Sequence, residues 1–148
     1  MTQSDSARQN LLLAAIPEDT CARLLSELEL VQLNCGEVIH EPGRELRYAY
    51  FPTTCIVSNV YVDQDGTSSE LAIVGNEGFI GLGLFTGGRT MPHQAVVSRT
   101  GYGYRLRLQL FIEEFGAAQG IGNDQSLFRL VLRYIQALMT QIEVAPFV

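Results

Sequence analysis

Between Gly75 and Val97 the chain reads GNEGFIGLGLFTGGRTMPHQAVV, with six glycines (Gly75, Gly78, Gly81, Gly83, Gly87, Gly88) set among Phe, Ile and Leu. Glycine lets a backbone turn tightly and approach a ligand closely. A run of this kind between strands marks a bend or a ligand cradle. It has no lysine, and its one arginine is Arg89. A Walker loop is therefore excluded, because its Gly-Lys-Ser/Thr ending supplies the lysine that meets the phosphates. A dinucleotide fingerprint needs G-x-G-x-x-G between a strand and a helix. Gly81-Leu82-Gly83 begins one, but Thr86 stands where the third glycine belongs and no helical run follows.

Around this run the sequence predicts short elements. Residues 1–9 are polar and expected to fray. Asn10 is placed to cap a short helix, LLLAAI, that stops before Pro17. Pro17 then opens a second helix, with Glu18 and Asp19 beside its positive end and Cys21, Leu24, Leu25 and Leu28 at helical spacing. From Glu29 the period changes. Leu30, Gln32 and Leu33, then Val38 and Ile39, read as short strands broken at Asn34-Cys35-Gly36. Ile56, Val57, Val60, Tyr61 and Val62 form a β-branched and aromatic run. Asp63 to Gly66 gives a turn, and Ser69 to Val74 returns as a strand. Ala95–Arg99 and Tyr102–Leu108 predict another strand pair hinged at Gly101, with Arg99, Arg105 and Arg107 pointing outward. Strands at spacings of about 8–12 residues with glycine turns suggest a sandwich or barrel. A helix is expected from Leu108 to Ala118, and Asn123 or Asp124 caps a last helix over residues 125–143, before Pro146.

Composition sets outer limits. A chain of 148 residues is long enough for one domain with a core, and 47% hydrophobic against 18% charged residues is a globular balance. Ten cations, all arginine, face sixteen acids, for a net charge of -6. Direct nucleic-acid binding needs a basic face that such a balance does not provide. The three cysteines, Cys21, Cys35 and Cys55, are isolated, and no C-x-x-C pair exists, which argues against zinc or iron–sulfur sites. Free cysteines and no secretion signal favour the cytoplasm. The longest early apolar run, Leu11 to Ile16, is too short to span a membrane, so no membrane partner is expected. Glu113 and Glu114 diverge on a helix and read as a solvated face. His40, ahead of Glu41-Pro42-Gly43, is expected to be a turn residue.

Gly78-Phe79-Ile80-Gly81, Leu84-Phe85 and Ala95-Val96-Val97 resemble the phosphate-binding cassette of the Crp/Fnr family of bacterial regulators and related cyclic-nucleotide-binding domains. Gly36-Glu37-Val38-Ile39 with Pro42-Gly43 looks like the family's early strand and turn. Tyr50-Phe51-Pro52 and Cys55-Ile56-Val57-Ser58 resemble the next strand in one bacterial branch, and Asp65-Gly66 sits at an expected hairpin. The resemblance spans roughly residues 10–143 and implies a mainly β fold with flanking helices. That fold is a double-stranded β-helix (jelly-roll) followed by a long C-terminal dimerisation helix. It divides the chain, taken as one domain over 1–148, into N-terminal helices (10–28), a β-roll (29–108) and C-terminal helices (109–143).

The departures carry the functional argument. In the family the cassette glutamate holds the ribose hydroxyl and the arginine pairs with the cyclic phosphate. The glutamate position here falls at Leu82 or at a gap before Gly83, and His93-Gln94 replaces Arg-Ser. Leucine accepts no hydrogen bond, and a histidine carries little charge near neutral pH. Losing one charge-assisted bond costs about 1.5–3 kcal/mol, and roughly 1.4 kcal/mol is tenfold in affinity. The two losses together weaken an ordinary cyclic nucleotide by about a hundredfold or more. Arg89 is read as a solvated loop residue, with substitution for the missing guanidinium as the other reading. His93 is either a ligand contact and pH-sensitive group or a plain edge histidine. The expected ligand-binding set is Phe79, Ile80, Gly81, Leu82, Gly83, Arg89, His93, Gln94 and Ala95. The ligand would be a cyclic nucleotide or another small effector, unidentified. Neither histidine sits in a haem motif, no metal site is expected, and no catalytic residue is assigned.

Residues 125–143 hold a second signal. Phe128, Leu132, Ile135, Met139 and Ile142 repeat at 4-3-4-3, and Leu127, Val131, Tyr134 and Leu138 form a second seam. Two apolar seams exceed what one packing surface requires, so either one seam meets a partner helix while the other lies on the barrel, or the helix is deeply buried in its own domain. The resemblance assigns this helix to a homodimer interface through Phe128, Leu132, Ile135, Met139 and Ile142. In the family a winged helix-turn-helix follows and reads DNA. This chain ends at Val148 without one, so DNA contact is expected only through a domain absent here, and the chain is either a fragment or a stand-alone sensor. The expected function is effector sensing for a Crp/Fnr-like transcription regulator, not catalysis. Two alternatives are a ligand-independent dimerisation module and a cupin-like metal enzyme, for which His40 and His93 supply too few ligands.

Overall fold

The computed structural model describes residues 3–81, 93–115 and 133. Helices α1 (Gln3–Ala7), α2 (Leu11–Ala14) and α3 (Glu18–Leu25) lead into strands β1 (Glu29–Leu33), β2 (Val38–His40), β3 (Tyr48–Pro52), β4 (Ile56–Val62), β5 (Ser68–Val74), β6 (Gln94–Arg99) and β7 (Gly101–Arg107). Helix α4 (Leu108–Phe115) follows directly. The strands form two antiparallel sheets, ordered β1-β7-β3 and β2-β6-β4-β5. This is the mainly β architecture expected, with helices flanking it.

Local chemistry explains much of the path. Asn10 has extended backbone angles, and its Oδ1 accepts from the N–H groups of Leu12 and Leu13 at 3.0 and 3.1 Å, so it caps α2 as its position in the sequence predicts. Pro17 precedes α3, where its fixed φ suits a helix start. The β4–β5 hairpin turns at Gly66, whose φ is +87°, a left-handed angle that glycine adopts without strain. Asp65 Oδ1 accepts from the Thr67 N–H at 3.1 Å and braces that turn.

The core joins the facing sides of both sheets to the helices. Phe51, Phe79 and Phe111 form an aromatic cluster, with ring centroids 5.3 to 6.4 Å apart. These rings link β3, the start of the glycine run and α4. Leu12, Leu13, Ile16, Cys21, Leu24 and Leu28 bury the helical layer against it.

Four expectations are corrected. Residues 3–7 are helical rather than frayed: Ala7 is fully buried, and the Tyr104 hydroxyl donates to Ser6 Oγ at 2.8 Å. Tertiary contact holds a segment whose own sequence is too polar to fold alone. His40 is not a turn residue but the buried end of β2. The stretch from Tyr50 to Ser58 is not one strand. β3 and β4 belong to different sheets, and the N–H groups of Thr53, Thr54 and Cys55 all converge on the Tyr102 carbonyl at the corner, at 3.0 to 3.2 Å. Finally, β6 and β7 are consecutive but unpaired. β6 lies between β2 and β4, and β7 lies between β1 and β3. Arg99 therefore stands on one sheet and Arg105 and Arg107 on the other. Phe128, Leu132, Ile135, Met139 and Ile142, assigned to a dimer helix, lie outside the described residues, as does most of residues 125–143. Among the described residues no helix is long and apolar enough to cross a membrane.

Candidate functional site

β2 is an edge of the four-stranded sheet and β3 an edge of the three-stranded one. Residues 41–47 connect them. Between these edges lies a cleft of about 660 Å³, walled by Val38–His40, Arg44, Arg47, Tyr48 and Tyr50. That volume falls in the range of small-molecule sites. Arg105 stiffens the wall by pairing with Glu29 at 2.6 Å and lying 4.1 Å over the Tyr48 ring. Its guanidinium also bonds the Tyr50 hydroxyl, but burial is the larger influence and pushes the Tyr50 phenol up.

Both ends of the glycine run are tied to this cleft. Tyr50 and Ile80 exchange backbone hydrogen bonds at 3.0 and 2.8 Å, so the run departs from the β3 edge. It returns at His93, whose carbonyl lies 3.4 Å from His40 Nδ1. Just after the Ile80 bridge to β3, Gly81 has a φ of +138°, an angle closed to most side-chain-bearing residues.

The inward face of the four-stranded sheet changes character along its length. Val97, Val57 and Val74 are in register and fully buried, and they belong to the core. Two residues further along, His40, Ala95, Asn59 and Ala72 are in register across all four strands. Opposite residues of antiparallel strands share a face, so this row faces the same way as the valines. This row, the cup, alternates two small alanines with two polar side chains, and its His40 also lines the cleft. Asn59 Oδ1 and His93 Nε2 are both buried and have no hydrogen-bond partner among the described residues. Buried polar atoms are nearly always paired, so each orphan calls for a ligand or a water.

His40 Nε2 donates to the Arg44 carbonyl at 2.9 Å, which fixes the strap of residues 41–47 to β2. A carbonyl only accepts, so Nε2 carries the proton. His93 is held below its ordinary pKa, first by burial and then by the His40 beside it. Among the described residues no group of three His, Cys, Asp or Glu side chains is arranged to hold a metal.

Of the residues singled out from the sequence, His93 directly precedes β6, Gln94 and Ala95 begin it, and Ile80 and Gly81 lie beside the β3 edge, where Ile80 bridges Tyr50. Phe79 and Ala95 are buried, Phe79 within the aromatic cluster, so a ligand reaching Phe79 would meet its backbone. Leu82, Gly83 and Arg89 lie outside the described residues. Asn59 and Tyr50 were missed. Asn59 did leave a signal, since asparagine is depleted in strands and this one interrupts a β-branched run. Its inward direction depends on register with β5 and β6.

Antiparallel sheets in this order, with helices before and after and a glycine run at the joint, define the β-roll of cyclic-nucleotide-binding domains. Solved structures of that fold include the sensor domain of the transcriptional regulator DNR from Pseudomonas aeruginosa, with a TM-score of 0.69 at 14% identity over 100% of this chain and 99% of that one. The c-di-GMP responsive global regulator CLP of Xanthomonas campestris gives 0.69 at 14%, covering 86% of this chain and 61% of that one. The regulatory subunit of a cAMP-independent protein kinase A from Trypanosoma brucei gives 0.70 at 16%. It matches 95% of this chain, which spans just under half (47%) of that subunit. No protein-family model matches the chain, and no curated protein matches it in sequence.

Proposed function

We propose that the chain is the effector-sensing regulatory domain of a Crp/Fnr-like transcription regulator, with an effector site at the cup formed by His40, Asn59, His93 and Ala95. The observation that carries this reading is the pair of buried orphan atoms, Asn59 Oδ1 and His93 Nε2, on either side of the joint where the glycine run rejoins the sheet. The ligand set read from the sequence, Phe79 to Gly83 with Arg89 and His93 to Ala95, is kept as part of this proposal. So are a β-roll over 29–108, a homodimer through the C-terminal helix, DNA contact through a further domain, a non-enzymatic role and a cytoplasmic location.

The effector differs from cyclic AMP held in the usual way. In the resemblance, His93-Gln94 replaces the family's Arg-Ser and its glutamate falls at Leu82 or at a gap before Gly83, and the cup walls are alanine, asparagine and histidine. Solved proteins of this fold described as c-di-GMP responsive and as cAMP-independent support the same direction. Calorimetry with cyclic AMP at neutral pH tests it. We expect no binding tighter than about 100 μM, roughly -5.5 kcal/mol, and nanomolar or low-micromolar binding would overturn it. A thermal-shift screen of cyclic mono- and dinucleotides and common metabolites tests the sensing role itself, since ligand at about 100 times its dissociation constant adds roughly 2.7 kcal/mol. Silence throughout would favour a ligand-independent module.

A further inference from the structure

The polar atoms of the cup have an uneven charge balance. His93 Nε2 is buried without a partner, and its ring lies beside a second histidine. His40 has its Nε2 proton committed to the Arg44 carbonyl, leaving Nδ1 facing the His93 carbonyl at 3.4 Å. Among the described residues no carboxylate bonds either ring.

Of the charged groups on the surrounding elements, Glu70 of β5 accepts from the Ser58 hydroxyl. β2 offers His40. The strap after it carries Glu41, Arg44, Glu45 and Arg47, all exposed. β3 offers Tyr50, whose hydroxyl is engaged with Arg105. The stretch of β4 that pairs with β6 is Ile56–Val60, which has no titratable side chain. Besides burial, His40 alone acts on His93, and both influences hold it neutral.

We propose that this cup binds a phosphoryl anion only together with a proton, which His93 Nε2 takes up as the anion enters. The inference rests on the cup being the effector site. A neutral imidazole offers a buried Nε2 that either accepts one hydrogen bond or donates one without charge. An entering phosphoryl oxygen supplies the missing counter-charge, so the imidazolium forms in place and its Nε2–H donates to that oxygen. The proton comes from solvent and no covalent bond changes. Asn59 Oδ1, the second orphan, accepts an N–H or O–H from the same ligand. A fixed guanidinium at this position would bind anions at every pH, whereas a histidine makes affinity a function of proton concentration.

The test is calorimetry of the whole chain with cyclic AMP, whose phosphodiester does not titrate in this range, between about pH 5.5 and 8. Buffers of different ionisation enthalpy count the protons taken up. We expect affinity to rise about tenfold for each pH unit lowered, with uptake approaching one proton. His93→Gln should bind weakly with no pH dependence, and His93→Arg should bind at pH near 8 more tightly than the parent, also without pH dependence. Circular dichroism confirms that each variant is folded. Wild-type binding without pH dependence or proton uptake overturns the proposal, as does a pH dependence that survives His93→Gln. If the parent binds at no pH but His93→Arg does, the cup stands and the proton linkage fails. If neither binds at any pH, the cup takes no phosphoryl anion and the proposal fails, while the cup as an effector site is judged by the thermal-shift screen.

Discussion

The Asn10 side chain donates to the Gly78 carbonyl at 2.9 Å across a sequence separation of 68 residues, and the same Nδ2 donates to the Pro52 carbonyl at 2.8 Å. Its Oδ1 meanwhile caps α2. One fully buried amide thus pins the helical layer to the end of β3 and to the entry of the glycine run. Leu11 adds a bond from its N–H to the Asn76 carbonyl at 2.7 Å.

Asn10→Ala is therefore expected to cost more than a lost cap. The cap contributes about 1 kcal/mol, and each buried carbonyl left unpaired adds about 1–3 kcal/mol. Urea denaturation should show a loss of about 3 kcal/mol or more. A loss below about 1 kcal/mol would mean that water replaces the amide freely.

Gly101 begins β7 where the chain crosses between sheets. A Cβ there would meet the Cys55 nitrogen at 2.5 Å and the Thr54 carbonyl carbon at 2.6 Å, both backbone atoms. Gly101→Ala should destabilise by about 2–3 kcal/mol, because the 53–55 corner would have to move. Gly36→Ala is the contrast: its cost comes from a φ of +92° with no atom nearby, and it should cost about 1 kcal/mol. Thermal melts that rank the two in the opposite order would refute the crossing geometry.

Acid should weaken the fold through His93. Its folded pKa lies below the ordinary 6.5, first because of burial and then because of His40. The unfolded chain consequently holds more protons in this window, and stability rises with pH. The contribution is complete above about 6.5 and is lost as pH falls through the folded value. As pH falls from about 8 to 5, the melting temperature of the wild type should drop relative to that of His93→Gln. A parallel pair of curves would show that His93 is not buried as described.

Thiol labelling should separate the cysteines. Cys35 is exposed, whereas Cys21 and Cys55 are buried and burial pushes the Cys55 thiol up. A thiol-specific reagent near neutral pH should modify Cys35 quickly and the other two only on unfolding. Fast modification of Cys55 would show that its side chain is not buried as described.

Much of this molecule is written in local chemistry. Asn10 before an apolar run is a cap, Pro17 with two acids is a helix start, and Asp65-Gly66 between alternating stretches is a hairpin. Each involves groups within a few residues of one another, so the sequence by itself determined them, together with the mainly β class and the glycine run as the place to look for a site. Under the resemblance to the phosphate-binding cassette, His93-Gln94 in place of Arg-Ser was equally plain, because identity needs no folding to be read.

Only the tertiary structure decided which strands pair. The alternation in Gln94–Arg99 and Gly101–Arg107 suits a neighbour in either sheet, and a hydrogen-bond ladder has no sequence code of its own. The crossing at Gly101 follows from the Thr54–Cys55 backbone, which is 46 or more positions distant. The cup follows from the same cause: His40, Asn59, Ala72 and Ala95 become a row only when four strands take one register, and His93 meets His40 only when β6 pairs with β2. Burial and non-local pairing turned Asn59, which the sequence did not mark as a site residue, and His93, which it did, into unsatisfied groups, because desolvation acts on a side chain only after the rest of the chain has folded around it.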